Sequence, residues 1–307
     1  MVHEGRSGFE VPTSDGRVLS VETSGDSDGF PVVLMHGTPG SRNGPKPRFS
    51  VLYRLGVRLI TYDRPGYGGS SRSPGRKVVD AAADVLTIMD YLGIDEFSVV
   101  GRSGGGPHAL ACAARCPSRV KRVAALVSVA PANAAELDWF AGMTEANVDE
   151  YTVADTDLVE LSKRLQAVAN RTRENPESIL DDLSLQLSTA DRNIVRGVQW
   201  RRLLATTYAE ALRHGAGGWV DDVMALRSDW GFDLRSIRTP VLLWHGQEDN
   251  LSPVSHTRWL ADQIANVTVC VQPGAAHFGA VEVLPDILPW LTGAIDDPVP
   301  VSVSARC

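Results

Sequence analysis

"GRSGGG", residues 101–106, places one serine inside a run of glycines. Its first five letters match G-x-S-x-G, a pattern that can mark a serine nucleophile on a sharp turn between a strand and a helix. A second stretch, "GDSDG" at 25–29, matches the same pattern. The flanking residues separate the two. "FSVVG", 97–101, is a short apolar run that predicts a buried strand, and "GPHALACAARC", 106–116, predicts a helix with Pro107 tolerated in its first turn. Ser27 has no such flanks. It sits in the polar cluster "TSGDSDGF" and reads as loop. Ser103 is therefore the candidate nucleophile.

Working outward, residues 7–23 read as two strands around the turn "TSDGR". "PVVLMHG" (31–37), "VRLITYDRPG" (57–66) and "VKRVAALVSV" (120–129) predict buried strands. "RKVVDAAADVLTIMDYL" (76–92) carries apolar residues at helical spacing: Val79, Ala83, Leu86, Met89 and Leu92. Buried strands alternating with helices predict an α/β fold with a mostly parallel central sheet flanked by helices. From about Pro131 the rhythm changes to helical patterns with no convincing strand; "VADTDLVELSKRLQAVANRT" and "VQWRRLLATTYAEALRHG" are helix candidates. Alternation resumes at "TPVLLWHG" (239–246), followed by the helix "PVSHTRWLADQIA", the strand "VTVCV" and a last helix from Gly279 to about Ala294. The expected organisation is a first core part at 1–130, a helical insertion at 131–230, a second core part at 231–294 and a disordered tail at 295–307.

Composition narrows the function. Of 307 residues, 43% are apolar and 22% charged, as in soluble globular proteins, and the formal net charge of −7 argues against nucleic acid or acidic membranes as partners. No stretch approaches the roughly 20 apolar residues of a membrane span. "MVHEGRSGFE" holds no apolar run of the kind a secretory leader needs, so a cytoplasmic location is expected. Cys112, Cys116, Cys270 and Cys307 match no common zinc spacing or disulfide framework, and the first two read as small core residues. No metal or organic cofactor is implied.

A serine hydroxyl needs a base, and the base needs an orienting acid. In a parallel sheet such groups gather beyond the carboxyl ends of the strands. "QEDN" follows the strand "VLLWHG" and offers Glu248 and Asp249; "AAH" follows "VTVCVQPG" and ends in His277. The chain order is Ser, Asp, His. Together with "HGTPGS" (36–41) and "YDRPGYGGS" (62–70), these motifs make the chain resemble the α/β-hydrolase family over nearly its whole length outside the tail.

The resemblance implies the α/β-hydrolase fold, with the insertion after the sixth strand as a helical cap. It implies Ser103, Asp249 and His277 as the catalytic triad, Asp249 being favoured over Glu248 by the G-x-x-D spacing of "GQED". The backbone N–H groups of Gly104 and Thr38 would form the oxyanion hole. A serine nucleophile, in place of the aspartate of epoxide- and halide-cleaving relatives, points to acyl chemistry.

The expected activity is a serine hydrolase that cleaves a small carboxylic ester, lactone or thioester through an acyl-enzyme. The alternatives are a proline iminopeptidase-like aminopeptidase using a cap acid such as Glu145, Asp149 or Glu150, a non-hydrolytic tailoring enzyme with the same triad, and a ligand-binding protein with little turnover. His36, His108 and His245 read as structural, and Arg102 as solvated in preference to meeting an acidic substrate group. Trp139, Trp200, Trp219 and Trp230 could line an acyl pocket or form the core of the cap. The expected partner is a small-molecule substrate, and the oligomeric state stays open.

Overall fold

Neighbouring residues of the strands face opposite ways, and this sets the architecture. A computed structural model describes residues 6–297. Eight strands form one sheet in the order β1-β2-β4-β3-β5-β6-β7-β8. They are β1 Arg6–Pro12, β2 Val18–Gly25, β3 Phe30–Met35, β4 Val57–Tyr62, β5 Phe97–Arg102, β6 Val120–Leu126, β7 Val241–Gly246 and β8 Val267–Gln272. The hairpin β1–β2 and the β2–β4 pair are antiparallel; every other pairing is parallel.

Val33, Ile60, Val99, Ala125 and Leu243 point into a core beneath α2 (Ala81–Tyr91), α3 (Gly105–Arg115) and α10 (Val254–Gln263). Their neighbours Leu34, Leu59, Val100, Ala124 and Leu242 face the other way, against α1 (Phe49–Arg54), α11 (Gly279–Glu282) and α12 (Leu284–Leu291). Both faces of the parallel strands are thus buried, as continuous apolar runs require. Cys112 and Cys116 are buried, and with Cys270 they are free thiols.

Between β6 and β7 lie six helices: α4 Glu145–Thr156, α5 Leu158–Glu174, α6 Ser178–Ser184, α7 Thr189–Val195, α8 Val198–Ala211 and α9 Gly217–Arg227. They share an apolar cluster that includes Leu161, Leu165, Leu180, Leu204 and Val223 and reaches Tyr67 and Phe278. The continuous helix expected across 153–172 is two helices. Asp157 takes an extended backbone and its carboxylate accepts from the Glu160 N–H at 2.9 Å, capping α5 where α4 ends. The last helix is likewise divided, with Pro285 in the first turn of α12. Of the expected tail, residues 298–307, including Cys307, lie outside the described residues. Among the described residues no helix is long and apolar enough to cross a membrane.

Candidate active site

Ser103 directly follows β5 and precedes α3, with φ at 53°. A non-glycine residue in this left-handed region is strained, and the strain turns its side chain out of the strand–helix corner. The turn is too tight for side chains nearby: a methyl group on Gly101 would overlap the carbonyl of Gly105. Ser27, by contrast, is exposed on the turn between β2 and β3.

Asp249 follows β7 and His277 follows β8, so both stand beyond carboxyl ends of parallel strands, as Ser103 does. Asp249 is buried. Its Oδ1 accepts from the N–H groups of Leu251 (2.8 Å) and Ser252 (3.0 Å). Its Oδ2 lies 2.8 Å from His277 Nδ1. That contact fixes the tautomer with Nδ1–H donating to Asp249 and leaves Nε2 as the free base. Burial disfavours the His277 imidazolium, but the Asp249 carboxylate outweighs it, and the pKa of His277 is raised above the ordinary histidine value. Burial likewise opposes the Asp249 carboxylate. The charge of His277 and hydrogen bonds from His245 and His277 prevail and hold its pKa well below the usual carboxylate range. Glu248 is exposed. Ser103 and His277 line one cavity of about 200 Å³, without a direct hydrogen bond between them in this structure. Catalytic hydrogen bonds of this kind often tighten only once substrate is bound.

The loop after β3 faces the nucleophile. A side chain on Gly37 would stand in contact with Ser103 Cβ, and one on Gly104 would overlap Thr38 Oγ1. Thr38 and Gly104 therefore lie against each other at the cavity wall. The Thr38 side chain is tied back: its hydroxyl donates to Asp222 Oδ2 at 2.7 Å and accepts from Arg64 Nη2 at 3.1 Å. Asp222, on α9, also accepts from Tyr67 Oη at 3.0 Å, from Arg76 at 2.6 Å and from Arg64. Arg64 donates in turn to the carbonyls of His36 and Gly37. Burial works against the Asp222 carboxylate, yet the two guanidinium groups outweigh it and keep it ionised. Position 222 carries no motif and was not among the expected site residues. Its partners Arg64 and Tyr67 belong to "YDRPGYGGS", and that motif is the one trace of the cluster in the sequence.

A second residue missed by sequence reasoning is Asp191 on α7. It is buried and accepts from the backbone N–H groups of His277 (3.1 Å) and Phe278 (2.8 Å). Nothing in "STADRN" marks it, because its partners are main-chain groups 86 residues away.

The other histidines are engaged. His36 donates from Nδ1 to the Gly37 carbonyl (2.8 Å) and accepts from the Arg64 N–H at Nε2 (3.1 Å), and burial keeps it neutral. His108 Nδ1 meets the Gly104 carbonyl at 2.7 Å, and His245 is bound between Thr257 (2.7 Å) and the Ser252 carbonyl (2.6 Å). Of the four tryptophans, Trp219 lines the cavity, while Trp139 and Trp230 pack in the core beside the sheet. Of the three cap acids, Glu150 lines the cavity; Glu145 and Asp149 are exposed. Glu150 accepts from Trp219 Nε1 at 3.1 Å, and burial raises its pKa to about 7. The expectation of a solvated Arg102 is wrong. Arg102 is 8% exposed at the end of a central strand and lines the cavity together with Thr207 and Tyr208 of α8.

Comparison with known proteins agrees with this fold. The family model described as alpha/beta hydrolase fold matches residues 31–282. A 2-hydroxymuconate semialdehyde hydrolase of Pseudomonas putida is 30% identical over 259 residues, covering 83% of each chain. A non-heme haloperoxidase of Rhodococcus erythropolis is 28% identical, covering 87% of this chain and 92% of its own. Among solved structures, a bromoperoxidase from Bacillus anthracis superposes with a TM-score of 0.67 at 22% identity, over 91% of this chain and 96% of that one. The family match over residues 31–282, with the relative at 30% identity, makes the chain a member of the α/β-hydrolase family and an enzyme of the hydrolase class.

Proposed function

We propose that this protein is a serine hydrolase that cleaves a small carboxylic ester, lactone or thioester through an acyl-enzyme. The observation that carries the reading is the 2.8 Å Asp249–His277 contact, which leaves His277 Nε2 free on the cavity that Ser103 also lines. In the proposed sequence Ser103 Oγ attacks the carbonyl carbon and its proton passes to Nε2. The backbone N–H groups of Thr38 and Gly104 donate to the oxyanion. Collapse expels the alcohol, thiol or enol, which takes the proton from Nε2. Water then attacks the acyl-enzyme, gives its proton to Nε2 and releases the acid, and the proton returns to Ser103.

The helices between β6 and β7 act in this proposal as a cap that bounds the acyl site through Glu150, Tyr151, Leu204, Tyr208 and Trp219. The free thiols suit a reducing cytoplasm, and recovery of the protein in a secreted fraction would count against that location. The test of the activity is labelling by a fluorophosphonate together with turnover of short-chain p-nitrophenyl esters. Both are expected in the wild type and absent in Ser103→Ala, whose fold is retained. Labelling without turnover of any ester, lactone or thioester would favour a slow ligand-binding protein or a non-hydrolytic tailoring enzyme.

One observation favours a second reading. Glu150 puts a carboxyl on the cavity wall, where an aminopeptidase would need one for a substrate amine. Hydrolysis of aminoacyl amides that is lost in Glu150→Gln would support it; indifference of Glu150→Gln toward such amides would remove it.

A further inference from the structure

Three arginines are buried among the described residues: Arg64, Arg76 and Arg102. The first two share the carboxylate of Asp222. Arg102 has no such partner. No described residue forms an ion pair with it or accepts a hydrogen bond from its guanidinium, and its Nε is also sealed from solvent. The carboxyl that lines the cavity, Glu150, is engaged by Trp219 Nε1 and makes no ion pair with Arg102. A buried charge without a partner is costly, and a ligand that supplied the counter-charge would remove that cost. Burial pulls the Arg102 pKa down to about 10, so the group stays charged at neutral pH.

Its position gives that charge a use. Arg102 precedes Ser103 in the chain and borders the same cavity, with Gly44, Thr207 and Tyr208 also on the wall. Gly44 leaves room: a side chain there would stand 3.6 Å from Nη2 of Arg102. We propose that Arg102 is the anion-recognition residue of this active site, and that the substrate is a small ester, lactone or thioester bearing a free carboxylate that pairs with its guanidinium. The proposal rests on the hydrolase reading above. One guanidinium among hydroxyl and apolar groups balances a single negative charge; a phosphate dianion would leave its second charge uncompensated.

The experiment uses monomethyl esters of succinate, glutarate, adipate and pimelate, each beside its dimethyl ester. Initial rates are followed by product titration for the wild type, Arg102→Gln and Arg102→Lys. At least one monoester is expected to exceed its diester in kcat/KM. That ratio should fall about thirtyfold or more in Arg102→Gln and be partly kept in Arg102→Lys. A ratio unchanged within threefold in Arg102→Gln, or a wild type that prefers every diester, overturns the proposal.

Two further readouts separate its failure from that of the hydrolase reading. The first is calorimetric binding of the monoesters to Ser103→Ala. If no ester turns over but a monoester still binds in an Arg102-dependent way, the anion site stands and the hydrolase reading falls. If esters turn over without dependence on Arg102, the reverse holds. If there is neither turnover nor binding, both are overturned. The second is thermal melting of Arg102→Met. Removal of an unpartnered buried charge should leave Tm equal or higher by a few degrees. A fall in Tm of 5 °C or more would make Arg102 a structural residue and overturn the proposal.

Discussion

The carboxylate of Asp191 on α7 accepts from the backbone N–H groups of His277 and Phe278. A helix of the segment between β6 and β7 thereby holds the loop that carries the proposed base. The carboxylate also favours the protonated form of His277. Replacing Asp191 by alanine removes the acceptor of two backbone donors, the buried one of Phe278 and the half-buried one of His277, at a cost of about 1–3 kcal/mol. We expect a lower melting temperature, kcat/KM for a p-nitrophenyl ester reduced by roughly tenfold or more, and an acid limb moved to lower pH. A pH–rate profile with the wild-type limb would confine Asp191 to a purely structural role.

The pH dependence of the wild type follows from His277. In the proposed mechanism its neutral form accepts the Ser103 proton, so kcat/KM is expected to rise with pH. Because Asp249 outweighs the effect of burial, the limb should titrate above the ordinary histidine value of 6.5. In Asp249→Asn the burial remains and the carboxylate is gone. The limb should then drop below 6.5, with kcat about 10⁴-fold lower. A limb in the variant at or above that of the wild type would contradict the assigned tautomer.

A methyl group at position 104 would collide with the Thr38 side chain. Gly104→Ala should push apart the two N–H groups assigned to the oxyanion and lower kcat by roughly 10²–10³. Binding of an uncharged ester to the doubly substituted Ser103→Ala, Gly104→Ala protein should change far less. A Gly104→Ala enzyme with normal kcat would show that these two amides do not bear the charge of the intermediate.

Asp222→Asn tests the buried cluster. It leaves Arg64 without a counter-charge in the interior and Arg76 with Asp221 alone (3.3 Å), and loss of one partner of such a group costs about 3–5 kcal/mol. Urea unfolding should show a clearly lower midpoint with an unchanged slope. A variant as stable as the wild type would mean that the two arginines find other partners.

Much of this was legible in the chain. Ser103, Asp249 and His277 announce themselves because each ends or follows an apolar run and stands in a short glycine-marked turn, where local residues dictate local geometry. Asp222, Asp191 and Arg102 did not. Their importance comes from partners 86 or more residues away, or from having none, and no periodicity encodes that. Asp157 was legible in principle, since "TDLVE" carries an Asp three residues before Glu160; apolar spacing alone hid the break. Arg102 was misjudged for a related reason. An arginine is usually solvated, and this one is buried at a cavity wall it shares with residues of α8, far away in the sequence.

The Asp222 cluster also bears on how this scaffold can be trimmed. Arg64 and Arg76 belong to the stretch between β4 and α2, whereas their counter-ion is carried on α9, the last helix before β7. Splicing out residues 131–230 to obtain a minimal hydrolase would strand both cations in the interior and release the hydroxyl tether of Thr38. Grafts that exchange the helices between β6 and β7 with those of a relative should therefore begin after β6 but stop short of α9, or carry an aspartate back to the same spot.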